Sequence, residues 1–449
     1  MRTTTDTTLT GNPLLRIIVL CVLYLAQGIP HGFVTIALGV WFVTQGVDVE
    51  GIATLATASV LPWSFMGGWG RVVYGYQIGR YGRRRPWILF AQSRMILSAL
   101  CLLGVDDPAA QVGSIAAIVF VHNLFSGLQD VSVDALAVDL LAPRERGRAN
   151  GLMYGSKYLG TSIGGAGLGW LLGTQGFEVA VLAMCGLLGA IMLVPLSVRE
   201  RPGERILPLG DRASGRLVEA PGEVGERSAN QSFLNLFLRL FRSFGHRNTL
   251  LAVVLALLVW LPNGMTYPVG LVLFMDQLGW EQVEYTTLTG TWGIGAALLG
   301  SVAGGFVADT IGPRRLATIA ACAYTALFCV PGACPLAWLE DRTFAGAYLI
   351  VTELVQGTLT VSLFAIFMSV SWKIVAATQF TAYMAMLNLS YSGGTMLAGT
   401  IEGWGLDYWQ VFLLAAAVQV LVLPVLPFCS PSPESGLAVL DDPPPSGDS

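Results

Sequence analysis

Asp130 and Asp134 are four residues apart inside an apolar run. That spacing is about one helical turn, so both carboxylates fall on one helix face, in a stripe with Asn123 and Ser126. A third acid, Glu353, interrupts another apolar run. A charge at the centre of a membrane-length segment costs about 2.5 to 3.5 kcal/mol on insertion scales, so it faces a cavity or a partner. Two chemistries fit. In the first, a carboxylate takes a proton from one side of the membrane and releases it on the other. In the second, the acids are permanently paired with Arg94 or Lys157 and fix helix packing. At about 1.5 Å per residue, Arg94, Asp134 and Lys157 all come to roughly 11 to 14 Å from the nearest basic loop, so they could form one buried charge cluster. Asp134 therefore fits either chemistry. Asp130, a turn deeper, and Glu353, at comparable depth, fit the first better. Asp139 falls nine residues past Asp130, near the end of the run, and suits a structural role against Arg-rich loops.

Two further groups surround helix-breaking prolines. Tyr24, Gln27 and His31 stand at i, i+3 and i+7 around Pro30, and Trp260, Asn263, Thr266 and Tyr267 stand around Pro262 and Pro268. Proline frees a backbone carbonyl and kinks the helix, and polar side chains beside it suit a solute cavity. His31 titrates near neutral pH, which leaves both a structural and a coupling role open. The other histidines, His122 and His246, lie far from it, and no paired-His metal motif exists. There is no Gly-x-x-x-x-Gly-Lys-Ser/Thr phosphate loop either. These absences speak against an enzyme, a resident metal or cofactor, and ATP-driven work, and nothing points to a nucleic-acid partner.

The elements that must position these residues are membrane helices. Of the 449 residues, 54% are hydrophobic and 12% charged, against about 25% charged in soluble domains. Twelve apolar stretches of spanning length follow one another, at roughly 14–43, 52–75, 87–104, 113–142, 150–173, 178–197, 249–275, 286–308, 316–337, 344–370, 377–401 and 409–428. The first is too long for a signal-peptide core and is read as a retained helix. The seven scattered cysteines read as packing residues. With the N-terminus inside, the internal connections carry Arg80, Arg83, Arg84, Arg85, Arg144, Arg146, Arg148, Arg314, Arg315 and Lys373. The external ones hold only Arg342, with Asp48, Glu50, Asp106, Asp107, Glu281, Glu284, Glu340 and Asp341. This asymmetry predicts that both termini are cytosolic. Only two of the 25 basic residues are Lys, which suggests a GC-rich coding sequence and a prokaryotic inner membrane.

Residues 198–247 break the pattern between six spans and six more, giving bundles at 1–197 and 248–428, a cytosolic linker, and a polar tail at 429–449 that reads as disordered. The linker segment 233–244 could lie along the membrane surface or extend the seventh span. The halves repeat. Gly75 to Arg85 (GYQIGRYGRRR) and Gly305 to Arg315 (GFVADTIGPRR) each follow the second span of their half, about 230 residues apart. Asp309 can accept hydrogen bonds from a helix N-terminus or an Arg, while Gly79 stands at that position in the first copy and weakens the expected charge latch.

This Gly-x-x-x-Asp-x-x-Gly-x-Arg-Arg element, between paired six-helix halves, resembles the signature loop of the major facilitator superfamily. The likeness implies an all-α membrane protein of two pseudo-symmetric six-helix bundles. It further implies a cavity lined by the first, fourth, seventh and tenth helices, rocking halves, and loops at Gly75, Arg83, Arg84, Gly305, Asp309, Arg314 and Arg315 that gate the change. Gly82 to Gln92 (GRRRPWILFAQ), Leu128 to Gly147 (LQDVSVDALAVDLLAPRERG) and Glu353 with Ala377-Thr378-Gln379 resemble the AmpG-type muropeptide permeases and related acetyl-coenzyme A transporters. Tyr74, Ala137 and the Ser390–Tyr391 pair depart from that branch's charged residues, at positions the resemblance implies would hold an anionic muropeptide. The expectation is a monomeric proton-coupled permease for a small organic solute, muropeptide-like or acyl-CoA-like by analogy. The alternative is a non-transporting scaffold for membrane assembly or delivery of a cofactor or pigment.

Overall fold

The computed structural model describes residues 8–78, 81–141, 145–205, 217–219, 245–372 and 376–429. Gly79, Arg80, Arg144, Lys373, the linker segment 233–244 and the tail from 430 onward lie outside the described residues. Among the described residues, eight helices are long and apolar enough to cross a membrane: α1 (Pro13–Thr44), α4 (Arg85–Gly104), α5 (Val112–Leu140), α7 (Phe177–Ser197), α8 (Arg247–Gln277), α9 (Gln282–Ile311), α10 (Pro313–Ala333) and α11 (Arg342–Val370). The other four expected spans fall on α2 (Val49–Val60) with α3 (Met66–Gly75), on α6 (146–175), on α12 (Ala376–Glu402) and on α13 (Tyr408–Val420).

The starts follow from capping chemistry. The Asn12 side chain accepts from the Leu15 amide at 3.1 Å with Pro13 in the first turn of α1, and Asp48 accepts from the Gly51 amide at 2.9 Å to open α2. The interruptions follow from proline and glycine. Pro62 begins a 3-10 stretch, Leu61–Phe65, that separates α2 from α3, so the expected second span is not one continuous helix. Beyond Pro30, α1 widens into a π-helical stretch at Phe33–Leu38, and α6 does so at Ile163–Gly167. One feature falls outside the all-helical expectation: Tyr76–Ile78 pairs antiparallel with Leu217–Glu219 as a two-stranded ribbon.

The chain divides into two compact units. Unit 1 comprises Met1–Pro221 with Pro268–Ile294, so it holds α1 to α7 and the adjoining ends of α8 and α9. Unit 2 comprises Gly222–Tyr267 with Gly295–Ser449. In lipid the apolar side chains supply little drive for helix pairing, and close backbone approach does the work. In unit 1, α1 lies backbone to backbone on α6. A Cβ on Gly28 would collide with the Lys157 carbonyl, one on Gly160 with the Leu25 carbonyl, and one on Gly164 with the Ile29 carbonyl. Unit 2 repeats the device between α8 and α12, where a Cβ on Gly264 would strike the Tyr391 carbonyl and one on Gly394 the Leu261 carbonyl. The string Gly160-Thr161-Ser162-Ile163-Gly164 has the letters of a hydrolase elbow, but it lies inside α6 rather than at a strand-to-helix turn, and its glycines serve this contact.

Candidate functional site

Each unit gathers its own set of polar side chains. In unit 1 Tyr24 of α1 reaches α5, where its hydroxyl donates to the Asp134 carboxylate. The Tyr154 ring of α6 meets the Tyr24 ring edge-on at 5.7 Å. One turn away, Asp130 is half-buried with the buried Gln27 amide beside it. Lys157 acts electrostatically on Asp130, Asp134 and His31. It forms no ion pair with either acid, and its ammonium sits 5.2 Å over the Trp63 ring instead. Trp63 donates through Nε1 to Asn123 Oδ1 at 3.3 Å, which ties the aromatic face to the stripe that carries the aspartates. His31 is exposed one turn beyond Gln27.

The expected charge cluster is therefore smaller than the spacing predicts. Arg94 does not join it. The residue is exposed, on the face of α4 opposite the one packed into unit 1, and its guanidinium lies 5.2 Å over the Phe90 ring. Depth along a helix fixes height and leaves azimuth open, and α4 is apolar on both faces, so its rotation is not visible in the sequence.

Unit 2 holds a different arrangement. Asn263 Nδ2 donates to Tyr324 Oη at 2.6 Å and to Gln356 Oε1 at 3.0 Å, and Tyr324 donates to Gln356 Oε1 at 3.2 Å. Glu353, three residues before Gln356 on α11, is half-buried with Tyr324 and Tyr391 in electrostatic range. No Lys or Arg among the described residues pairs with it. Trp260 stands edge-on to Tyr324 at 6.2 Å, and Tyr267 is tilted against Tyr391 at 6.3 Å. Tyr324, Gln356, Trp63 and Tyr154 are additions to the residues picked out from the sequence. Only Gln356 carried a usable signal, as a polar residue three positions from Glu353 on an apolar helix.

The Arg-rich end of unit 1 is built around one carboxylate. Glu200, just past α7, is buried and accepts from three consecutive amides at the start of α4: Arg83 at 3.1 Å, Arg84 at 2.8 Å and Arg85 at 2.5 Å. A carboxylate at a helix N-terminus meets both the open amides and the positive end of the dipole. Glu200 thus gives α4 a carboxylate acceptor that the loop's own sequence does not carry. The fully buried Arg84 reaches Asp139 at 2.9 Å and the Val73 carbonyl at 2.5 Å, the structural role its spacing predicts for Asp139. Gly82 turns into α4 at φ +105°, where a Cβ would lie 2.7 Å from Glu200 Oε1. Its counterpart in the second copy, Gly312, turns at φ +88° into α10. Burial and the neighbouring Glu200 push the Glu204 carboxyl up. Gly75 closes α3 and Gly305 is half-buried within α9. Asp309, Arg314 and Arg315 are exposed, and Asp309 accepts no hydrogen bond among the described residues. Among those residues no cluster of three or more His, Cys, Asp or Glu could hold a metal.

Comparison with known proteins agrees with this architecture. The anhydromuropeptide permease of Escherichia coli (strain K12) is 26% identical over 427 residues, which is 91% of this chain and 79% of the relative. The solved nucleoside transporter NupG is similar with a TM-score of 0.67 at 14% identity, covering 92% of this chain and 98% of that one. A D-xylose-proton symporter gives 0.67 at 13%, covering 94% and 98%. At such identities the structural likeness speaks for the fold alone. The sequence profile of the Major Facilitator Superfamily matches residues 18–281, more than half the chain and all of α2 to α7. Paired helical halves, the repeated Gly-Arg loops and that match together make this chain a member of the Major Facilitator Superfamily.

Proposed function

We propose that this membrane protein is a permease that moves a small organic solute by alternating access and couples the movement to protons. The observation that carries the reading is that Asp130, Asp134 and Glu353 are half-buried or open among polar side chains and outside ion-pair range of any described cation. A carboxylate locked at about 3 Å to an Arg is held charged, whereas these three can exchange a proton as their surroundings change. Trp260, Tyr267, Tyr324, Asn263 and Gln356 supply ring faces and amide groups suited to a solute with both apolar and hydrogen-bonding surfaces. A muropeptide-like solute is favoured by the likeness to the E. coli permease. An acyl-CoA-like one is the second choice. Ala137 is buried in the core and Ser390 donates to the Leu257 carbonyl at 2.7 Å, so these two positions offer no charge to an anionic group. The chain works as a monomer in a prokaryotic inner membrane, with both termini and the Arg-rich loops in the cytosol.

The test is uptake into proteoliposomes under an imposed pH gradient, using anhydromuropeptides and acyl-CoA in parallel. Wild type takes up one of them in response to the gradient. Glu353→Gln and Asp130→Asn, with unchanged melting temperature, lose gradient-driven uptake. Unimpaired gradient-driven uptake in both variants would sink the coupling assignment. Transport-inactive wild type with a stable membrane partner would favour the scaffold role.

A further inference from the structure

We propose that the outward face of α4 binds the phosphate of an anionic phospholipid, with the Arg94 guanidinium as its ligand. Phe90, Ser93, Arg94, Leu97 and Leu100 are the exposed residues of the middle of α4, and their spacing puts them in one stripe. Ile88, Ala91, Met95 and Ala99, on the other side, are buried. An apolar exposed stripe on a spanning helix is a lipid-facing surface. Ser93 satisfies itself by donating to the Phe90 carbonyl at 2.7 Å, which leaves Arg94 as the one charge on the stripe. No described carboxylate pairs with it.

The direction of the side chain decides what it can meet. The guanidinium carbon sits 5.2 Å over the ring of Phe90, one turn nearer the Arg-rich end of the helix, so the chain extends toward the membrane surface. Phe90 is five residues from Arg85, about 7 to 8 Å along the axis. Trp87 lies between them, edge-on to Phe90 at 6.4 Å, and Phe125 of α5 stands at 6.1 Å on the far side. A Trp such as Trp87, two residues from Arg85, marks the headgroup boundary. The guanidinium is therefore placed just beneath that boundary, within reach of a lipid phosphate, while Leu97 and Leu100 continue the stripe where acyl chains would run. Its planar fork matches a phosphate bidentately. An anionic headgroup adds attraction that a zwitterionic one, carrying its own ammonium, offsets.

Native mass spectrometry of the full-length protein, titrated with phosphatidylglycerol or phosphatidylcholine, tests this. Phosphatidylglycerol adducts are expected on wild type and retained about tenfold less by Arg94→Leu, the scale of one charge-assisted contact, with Arg94→Lys between them. A melting shift on adding phosphatidylglycerol should follow the same order, and inorganic phosphate should give none. Arg94→Leu places a lipid-compatible side chain on a lipid face, so its own melting temperature in neutral detergent checks that it folds. Three outcomes overturn the proposal. One is equal lipid retention by wild type and Arg94→Leu. The second is a shift with inorganic phosphate as large as with lipid, which would mark a free-ion site. The third is a wild-type dimer that becomes monomeric in Arg94→Leu, which would give the guanidinium to a protein partner.

Discussion

Gln379, fully buried at the start of α12, spends all of its amide on three partners. Oε1 accepts from the Trp372 amide at 2.9 Å, and Nε2 donates to Thr249 Oγ1 and Tyr383 Oη, each at 3.0 Å. This ties α12 to α8 and to the chain leaving α11. Gln379→Ala removes all three bonds, at about 1–3 kcal/mol for a buried group. A lower melting temperature in detergent is expected, and an unchanged one would show that the node is dispensable. Sequence motifs flagged Gln379 without revealing what it holds. The same is true of Asp134, whose depth pointed to a cation while the structure supplies the Tyr24 hydroxyl. Sequence spacing gives height on a helix and the side chains sharing its face. The neighbour across the gap depends on how two helices rotate against each other, which no single helix encodes.

Helix pairing is set by where backbones can touch. Because Gly160 sits against the Leu25 carbonyl while Gly155, five residues earlier on the same helix, has nothing within 4 Å of its would-be Cβ, the two make a matched test. Gly160→Ala forces α1 and α6 apart, at about 1–3 kcal/mol or more for overpacking. Gly155→Ala replaces glycine by a better helix former in open space and should match or exceed wild type. Fluorescence-detected size exclusion after a heat challenge reads the difference, and equal survival of both variants would refute the close contact. The twelve apolar runs were legible as helices because lipid demands long continuous stretches. Their breaks were less so. Pro62 announces its own, but no proline sits within the π-helical turns at Phe33–Leu38 and Ile163–Gly167, which lie against each other where α1 meets α6.

At the scale of the whole molecule, charge placed along the sequence carries more information than the net −4. If the Arg-rich loops are cytosolic, a cysteine-free background with Asp107→Cys, in an exposed loop at the far end of α4, should react with a membrane-impermeant maleimide on intact cells. Arg201→Cys, exposed just past α7, should react only after permeabilisation. The reverse pattern would invert the orientation. The repeat of the halves was legible in Gly75–Arg85 and Gly305–Arg315, yet its chemistry differs between copies. The first recruits Glu200 from more than a hundred residues downstream, while the second leaves Asp309 exposed. That long reach bears on the order of synthesis. A ribosome that has released α4 into the membrane still has α5, α6 and α7 to make before Glu200 emerges, and until then the amides of Arg83, Arg84 and Arg85 have no such acceptor. A released chain ending at Ser197 would possess α1 to α7 with the third apolar span still unlatched, and three more residues would supply the latch.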